Sequence, residues 1–199
     1  MIEIEKKFVI DENKKNQLIS GAEFLYKKVF TDTYYDDSNF SLTSKDMWLR
    51  LRDNNFELKI PASISDKGFI NQYKELTDED SIRKHLNLQG SEPINQLLAD
   101  NKYNPFCILT TTRERFKKDS FSIDIDTVTA DSFNYYIAEI EMMVEKESDM
   151  KAALNQITLF MEQNNISESP VRGKVIEYLI QKIPNQYNAL LSAGVIRAN

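Results

Sequence analysis

Like-charged side chains two residues apart recur through this sequence and suggest a chemistry before any fold is considered. Glu3/Glu5, Asp124/Asp126 and Glu139/Glu141 are acidic doublets, whereas Arg50/Arg52 and Arg113/Arg115 are basic ones. Clustered carboxylates hold hard divalent cations through oxygen, which suits Mg²⁺ or Mn²⁺. Arginine forks hold phosphate oxygens in bidentate fashion. A metal ion together with a polyphosphate would neutralise both sets at once. Cys107 is the only cysteine and His85 the only histidine, so a cysteine- or histidine-based metal site is excluded and oxygen ligands remain.

A spacing of two puts both members of each doublet on one face of a strand. Strands are expected near 2–9, 31–36, 46–53, 55–60, 71–76, 107–117, 120–127 and 135–145, mostly antiparallel by connection length. Asn54-Asn55 is the expected hairpin turn between the third and fourth. Within these runs Glu3, Glu5 and Lys7 oppose Ile2, Ile4 and Phe8, and Trp48, Arg50 and Arg52 oppose Met47, Leu49 and Leu51. Glu57 and Lys59 oppose Phe56, Leu58 and Ile60, and Glu139 and Glu141 oppose Ala138, Ile140 and Met142.

Alternation alone leaves two arrangements open. The charged face can meet water, as one side of an antiparallel sheet often does. Like charges ~6.6 Å apart on a strand then repel by only ~0.6 kcal/mol per pair in water. Alternatively the sheet curls until the charged face lines a lumen, with the apolar face covered by helices. Grouping by sign favours the second, and such a lumen must contain water, ions or ligand.

Helices are expected over 12–20 behind an Asp11 cap, over 78–88 and 91–100, from Ser148 onward, near Pro170 with Val171, Val175, Tyr178 and Leu179 as its apolar positions, and after Pro184. The fold class is α+β, one domain over 1–199. The 199 residues carry 25 Lys+Arg against 31 Asp+Glu, a net charge of −6 with the signs interleaved, which argues against nucleic-acid binding. No run approaches the ~20 apolar residues of a membrane helix, and the N-terminus lacks a secretory h-region. A cytoplasmic monomer acting on a small molecule is expected. His85 reads as an exposed helix residue, Cys107 as a buried thiol, and Asp78-Glu79-Asp80 as a helix N-terminal charge cluster.

Glu3-Ile4-Glu5-Lys6-Lys7 is an ExExK motif. It is followed in order by Asp32-Thr33-Tyr34-Tyr35-Asp36, Trp48-Leu49-Arg50-Leu51-Arg52, Glu57-Leu58-Lys59, Tyr73-Lys74-Glu75-Leu76, Asp124-Ile125-Asp126, Glu139-Ile140-Glu141 and Lys174-Val175-Ile176-Glu177-Tyr178-Leu179. The set resembles the CYTH superfamily of triphosphate tunnel enzymes over nearly the whole chain, and within it the thiamine triphosphatase branch. The resemblance implies an eight-stranded antiparallel β-barrel tunnel with helices packed outside, which hydrolyses a phosphoanhydride bond with Mg²⁺.

Carried over by position, Glu3 and Glu5 bind metal and position the attacking water, and Asp124, Glu139 and Glu141 form another acidic ligand cluster. Lys7, Arg50, Arg52, Lys59, Arg113 and Lys174 match the triphosphate-binding cations. Tyr34 falls on a catalytic position and Glu75 on a substrate-binding one. The Arg113-Glu114-Arg115 segment allows either arginine to be the phosphate ligand, and Asp126 shares the face. Trp48, which alone would read as core packing, becomes a stacking platform for a cationic thiazolium ring, worth ~0.5–2 kcal/mol. The alternatives are an inorganic tripolyphosphatase of the same fold, a class IV adenylate cyclase, and a non-catalytic polyphosphate-binding module.

Overall fold

In a computed structural model, which describes residues 1–61, 71–166 and 171–197, the charged strand faces turn inward. The strands are β1 (Ile2–Phe8), β2 (Glu23–Asp36), β3 (Trp48–Arg52), β4 (Asn55–Pro61), β5 (Asn71–Leu76), β6 (Asn104–Lys118), β7 (Phe121–Ala130) and β8 (Phe133–Val144). They close in the order β1-β5-β4-β3-β2-β6-β7-β8, antiparallel at every neighbouring pair. β1 is thus the staple of the barrel, inserted between β5 and β8, and it carries the ExExK motif into the seam. Closure removes the sheet edges and fixes which face is inside.

The outward apolar faces are covered by helices. α1 (Glu12–Leu18) and α4 (Met150–Gln163) lie over one side, where Ala153, Ile157, Phe160 and Met161 pack against Ile4, Phe8, Ile123 and Ile140. α2 (Glu79–His85) and α3 (Ile94–Asp100) cover Leu49 and Leu58 through Ile82, Leu97 and Leu98. α5 (Lys174–Lys182) and α6 (Pro184–Ser192) instead pack on apolar residues of the inward strand face, bringing Val175, Ile176, Leu179 and Leu190 against Tyr34, Cys107, Leu109, Val128 and Phe133. Each buried Leu, Ile or Phe contributes ~1.5–3 kcal/mol by leaving water. No helix among the described residues is long and apolar enough to cross a membrane.

Several boundaries differ from the sequence expectation for identifiable reasons. β2 starts at Glu23, not near residue 31; its residues 23–29 are exposed and lack any period-two pattern, and register with β6 makes them a strand. The β3–β4 turn is Asp53-Asn54, one residue earlier than Asn54-Asn55, with both residues left-handed at φ 48° and 65°. β3 begins at Trp48 because Asp46 is also left-handed, at φ 60°. A 3₁₀ turn over Glu147–Asp149 precedes α4, and α5 begins at Lys174 behind Gly173. Pro170 lies outside the described residues. Asp11 does cap α1, its carboxylate accepting from the Lys14 amide at 2.8 Å.

Candidate active site

Register sets the composition of the lumen. Glu5 lies opposite Glu141 across β1–β8, and Lys7 opposite Glu139. Asp124 is flanked by Arg115 on β6 and Glu139 on β8. On the far wall Asp32 faces Arg52, Tyr34 faces Arg50, and Glu75 faces Lys59. Neighbouring strands are only ~4.8 Å apart, so these partners are within side-chain reach.

The first group is acidic. Glu3, Glu5 and Glu141 each offer one carboxylate oxygen, all within 4.8 Å of one another. Burial, and then the charge of nearby Asp124, push Glu141 up to about 8. Burial likewise raises Glu5, against the opposing pull of Lys7, with which it forms an ion pair. Burial would raise Glu3 as well, but the ammonium of Lys59 in contact with it brings it down to about 2. Three converging carboxylates, two of them held back from ionising chiefly by burial, are the donor set that a hard divalent cation relieves. The residues therefore fit Mg²⁺ or Mn²⁺.

The second group is a lattice of arginine–carboxylate forks. Arg115 holds Asp124 through Nε and Nη2 at 2.6 and 2.5 Å and reaches Glu141 at 2.6 Å. Arg113 holds Asp126 at 2.7 and 2.6 Å, touches Glu139 at 3.2 Å, and also pairs with Asp124. Across the lumen Arg52 holds Asp32 at 2.6 and 2.7 Å. Lys174, from the start of α5, donates to Asp32 and to Thr111 Oγ1, each at 3.0 Å. Arg50 donates to Glu57 at 2.6 Å and to Glu75 at 3.0 Å. Although burial disfavours the ionised form, Arg52, Lys174 and Arg50 hold the Asp32 carboxyl well below the usual range.

The site residues named from sequence thus reach one enclosed space, but they sort differently there. Asp124 and Glu139 face arginine and lysine, while Glu141 joins Glu3 and Glu5. Arg113 and Arg115 both point inward, Arg113 forked on Asp126 and Arg115 on Asp124. Tyr34 is buried, and burial followed by the charge of Asp32 raises its phenol strongly; it is a neutral hydroxyl, able to donate but not to act as a base. Trp48 is half-buried at the end of β3, its Nε1 donating to Asp46 at 2.9 Å. His85 and Cys107 stay outside this chemistry. Cys107 is a buried thiol raised to about 12, chiefly by burial.

The sequence pattern of the CYTH domain matches residues 1–172. The chain belongs to the CYTH family. It is 30% identical over 210 residues to the thiamine-triphosphatase of Macaca fascicularis, covering 98% of this chain and 91% of that one. With the human thiamine-triphosphatase it shares 29% over 213 residues, covering 99% and 92%. Among solved structures, a protein of Pyrococcus horikoshii OT3 superposes with TM-score 0.62 at 17% identity, covering 90% of this chain and 99% of that one. A Hippeastrum protein, described as an adenylyl cyclase with a dominant triphosphatase activity, gives 0.57 at 14% identity, with 92% and 96% covered. At such identities these two support the fold alone.

This CYTH lumen holds two residues to which the motifs gave no role, Asp32, which opens one of them, and Phe30, which belongs to none. Asp32 is fully buried and takes both Arg52 and Lys174. It stands two positions before Tyr34, on the same strand face, so strict alternation would have found it. Phe30, two positions earlier again, has Arg52 at 4.1 Å, Lys174 at 5.2 Å, Arg113 at 5.6 Å and Lys28 at 5.9 Å from its ring centroid. An aromatic ring at the hub of four cations attracts each of them to its π face. Nothing in a lone phenylalanine announces that role.

Proposed function

We propose that this chain is a divalent-metal-dependent triphosphate hydrolase that cleaves thiamine triphosphate to thiamine diphosphate and phosphate. The observation that carries the reading is the enclosure, in one lumen, of a three-carboxylate cluster next to seven cationic side chains: Lys7, Arg50, Arg52, Lys59, Arg113, Arg115 and Lys174. Relatives named thiamine-triphosphatase that match nearly the whole chain support the choice of substrate. Glu3, Glu5 and Glu141 would hold Mg²⁺ or Mn²⁺, which supplies positive charge against the phosphate oxygens and makes water more acidic.

The remaining steps belong to the protein. Arg50, Arg52, Arg113 and Lys174 take the triphosphate oxygens in place of the carboxylates they now hold, which places charge where it accumulates during phosphoryl transfer. Lys7 and Lys59 keep Glu5 and Glu3 oriented. Glu3, held ionised down to about 2, is available at neutral pH to orient the attacking water. Tyr34 donates its hydroxyl, and Trp48 offers its indole face to the thiazolium ring. A single chain acting alone in the cytoplasm suffices for this chemistry.

Phosphate release from thiamine triphosphate, tripolyphosphate and ATP, side by side with and without Mg²⁺, tests the reading. Fast release from thiamine triphosphate that depends on the metal is expected. Preference for tripolyphosphate would make the chain a tripolyphosphatase, a cyclic product from ATP a cyclase, and no release from any of the three a binding module.

A further inference from the structure

The short segment before β3 ends in an unusual anchor. Asp46 closes the 3₁₀ turn Thr43–Lys45 in a left-handed conformation, φ 60° and ψ 31°. Two rings donate to the same oxygen of its carboxylate: Trp48 Nε1 at 2.9 Å and the Tyr73 hydroxyl at 2.8 Å. Trp48 stands on β3 and Tyr73 on β5, with β4 between them. Asp46 therefore clamps two aromatic side chains across three strands. Lys59 of the intervening strand lies 5.8 Å from the Tyr73 ring centroid and pairs with Glu3, and Tyr73 is itself opposite Glu3 in the β1–β5 register. The clamp is thereby tied to the three-carboxylate cluster.

The segment that carries Asp46 is itself fixed. The buried Asp36 carboxylate accepts from the amides of Leu42 and Thr43 at 3.0 and 2.9 Å and from Thr43 Oγ1 at 2.6 Å. Gln186 of α6 donates to the same Thr43 oxygen at 3.0 Å. Burial first, and the Asp46 charge second, raise the Tyr73 phenol well above its ordinary value, so it remains a donor to that carboxylate. With its indole N–H spent on Asp46, Trp48 stays half-buried beside a negative charge, while Tyr73, buried with Lys59 over its ring, braces the same carboxylate.

We propose that Asp46 is a positioning residue that, braced by Tyr73, orients Trp48 as a platform for a cationic heterocycle and so sets the preference for cationic triphosphate esters over inorganic tripolyphosphate. The inference rests on the thiamine triphosphate reading above and extends it to Asp46, which neither the motifs nor the metal cluster include, and to Tyr73, which the motifs contain without a role. A ring cation over an aromatic face is attracted more strongly when the ring is held still and an anion is close by. Tripolyphosphate has no heterocycle and gains nothing from the clamp.

The test compares wild type with Asp46→Gly, which keeps the left-handed backbone while removing the acceptor, and with Asp46→Asn, which keeps an acceptor oxygen while removing the charge. KM and kcat are measured for thiamine triphosphate and for tripolyphosphate with Mg²⁺. Emission of Trp48, the only tryptophan in the chain, is titrated with thiamine. For Asp46→Gly, KM for thiamine triphosphate is expected to rise about tenfold while kcat and both tripolyphosphate constants stay within about twofold. Trp48 emission should shift to the red and its quenching by thiamine weaken. Asp46→Asn should show the same selective rise at about threefold. If Asp46→Gly does not fold, the Asn variant decides alone. Wild type that ignores thiamine triphosphate overturns the parent reading and the inference with it. Wild type that hydrolyses it, while the variants change both substrates alike or neither, overturns the inference alone.

Discussion

The two sides of the lumen are neutralised in different ways. On the β1–β8 seam, Glu3, Glu5 and Glu141 converge with one basic partner each, Lys59, Lys7 and Arg115, of which Lys7 is shared with Glu139 and Arg115 with Asp124, and burial raises two of the three. On the β2–β3 wall, Asp32 is saturated by an arginine fork and a lysine, which hold its carboxyl low despite its burial. The first arrangement is short of positive charge and the second is complete. A charge-deficient cluster is stabilised by gaining a cation, whereas a complete one can only exchange partners. The lumen is therefore ready to take a metal on one side, while on the other its arginines can trade carboxylate oxygens for phosphate oxygens already in bidentate geometry.

That contrast is sharpest under substitution. Glu5→Gln removes a carboxylate from the deficient side and should lower kcat for triphosphate hydrolysis ~10²–10³-fold, with a matching loss of Mg²⁺ affinity in calorimetric titration. An enzyme that kept its activity would show that the cluster is not a metal site. Arg52→Ala strips the complete side and leaves Asp32 buried beside only Lys174 and the more distant Arg50; a loss of ~3–5 kcal/mol in urea unfolding is expected. Arg52→Lys should recover part of that stability but not substrate affinity, because an ammonium cannot form the fork.

Trp48→Ala tests neither side directly. It should weaken use of thiamine triphosphate by ~0.5–2 kcal/mol, a factor of ~2–30 in kcat/KM, and leave tripolyphosphate use nearly unchanged. Equal loss on both substrates would remove thiamine from the account. The smallest effect concerns acid. The folded-state pKa of Asp32 is depressed, so its stabilising contribution is fully present above the ordinary carboxyl value of ~3.9 and is lost as pH falls below it. Asp32→Asn, though less stable at neutral pH, should show a flatter acid limb in a plot of unfolding free energy against pH. An unchanged limb would mean that Asp32 is not the titrating group.

Much of this was legible in the chain because one period, two, governs both the strands and the chemistry. Glu3, Glu5 and Lys7 had to share a face, and so did Arg50 and Arg52; closure into a barrel only decided which face was inside. What period two could not show was partnership across strands. The resemblance groups Asp124 with Glu139 and Glu141; register sets Asp124 beside Glu139, while Arg113 and Arg115, arriving from β6, bind Asp124, and β1 brings Glu3 and Glu5 to Glu141. That sorting depends on β1 inserting between β5 and β8, a long-range choice with no local signature. Residues 23–29 of β2 were missed for the opposite reason: they are exposed, carry no alternation, and form a strand only because β6 lies alongside. Lys174 reaches the lumen from a helix, where side-chain period says nothing about a distant barrel.

A crystal grown with Mn²⁺ and tripolyphosphate tests the central claim most directly. Anomalous density is expected among Glu3, Glu5 and Glu141, with phosphate oxygens on Arg52, Arg113 and Lys174 in place of their present carboxylates. Manganese bound elsewhere, with the arginines still on Asp32 and Asp126, would contradict the division of the lumen described above.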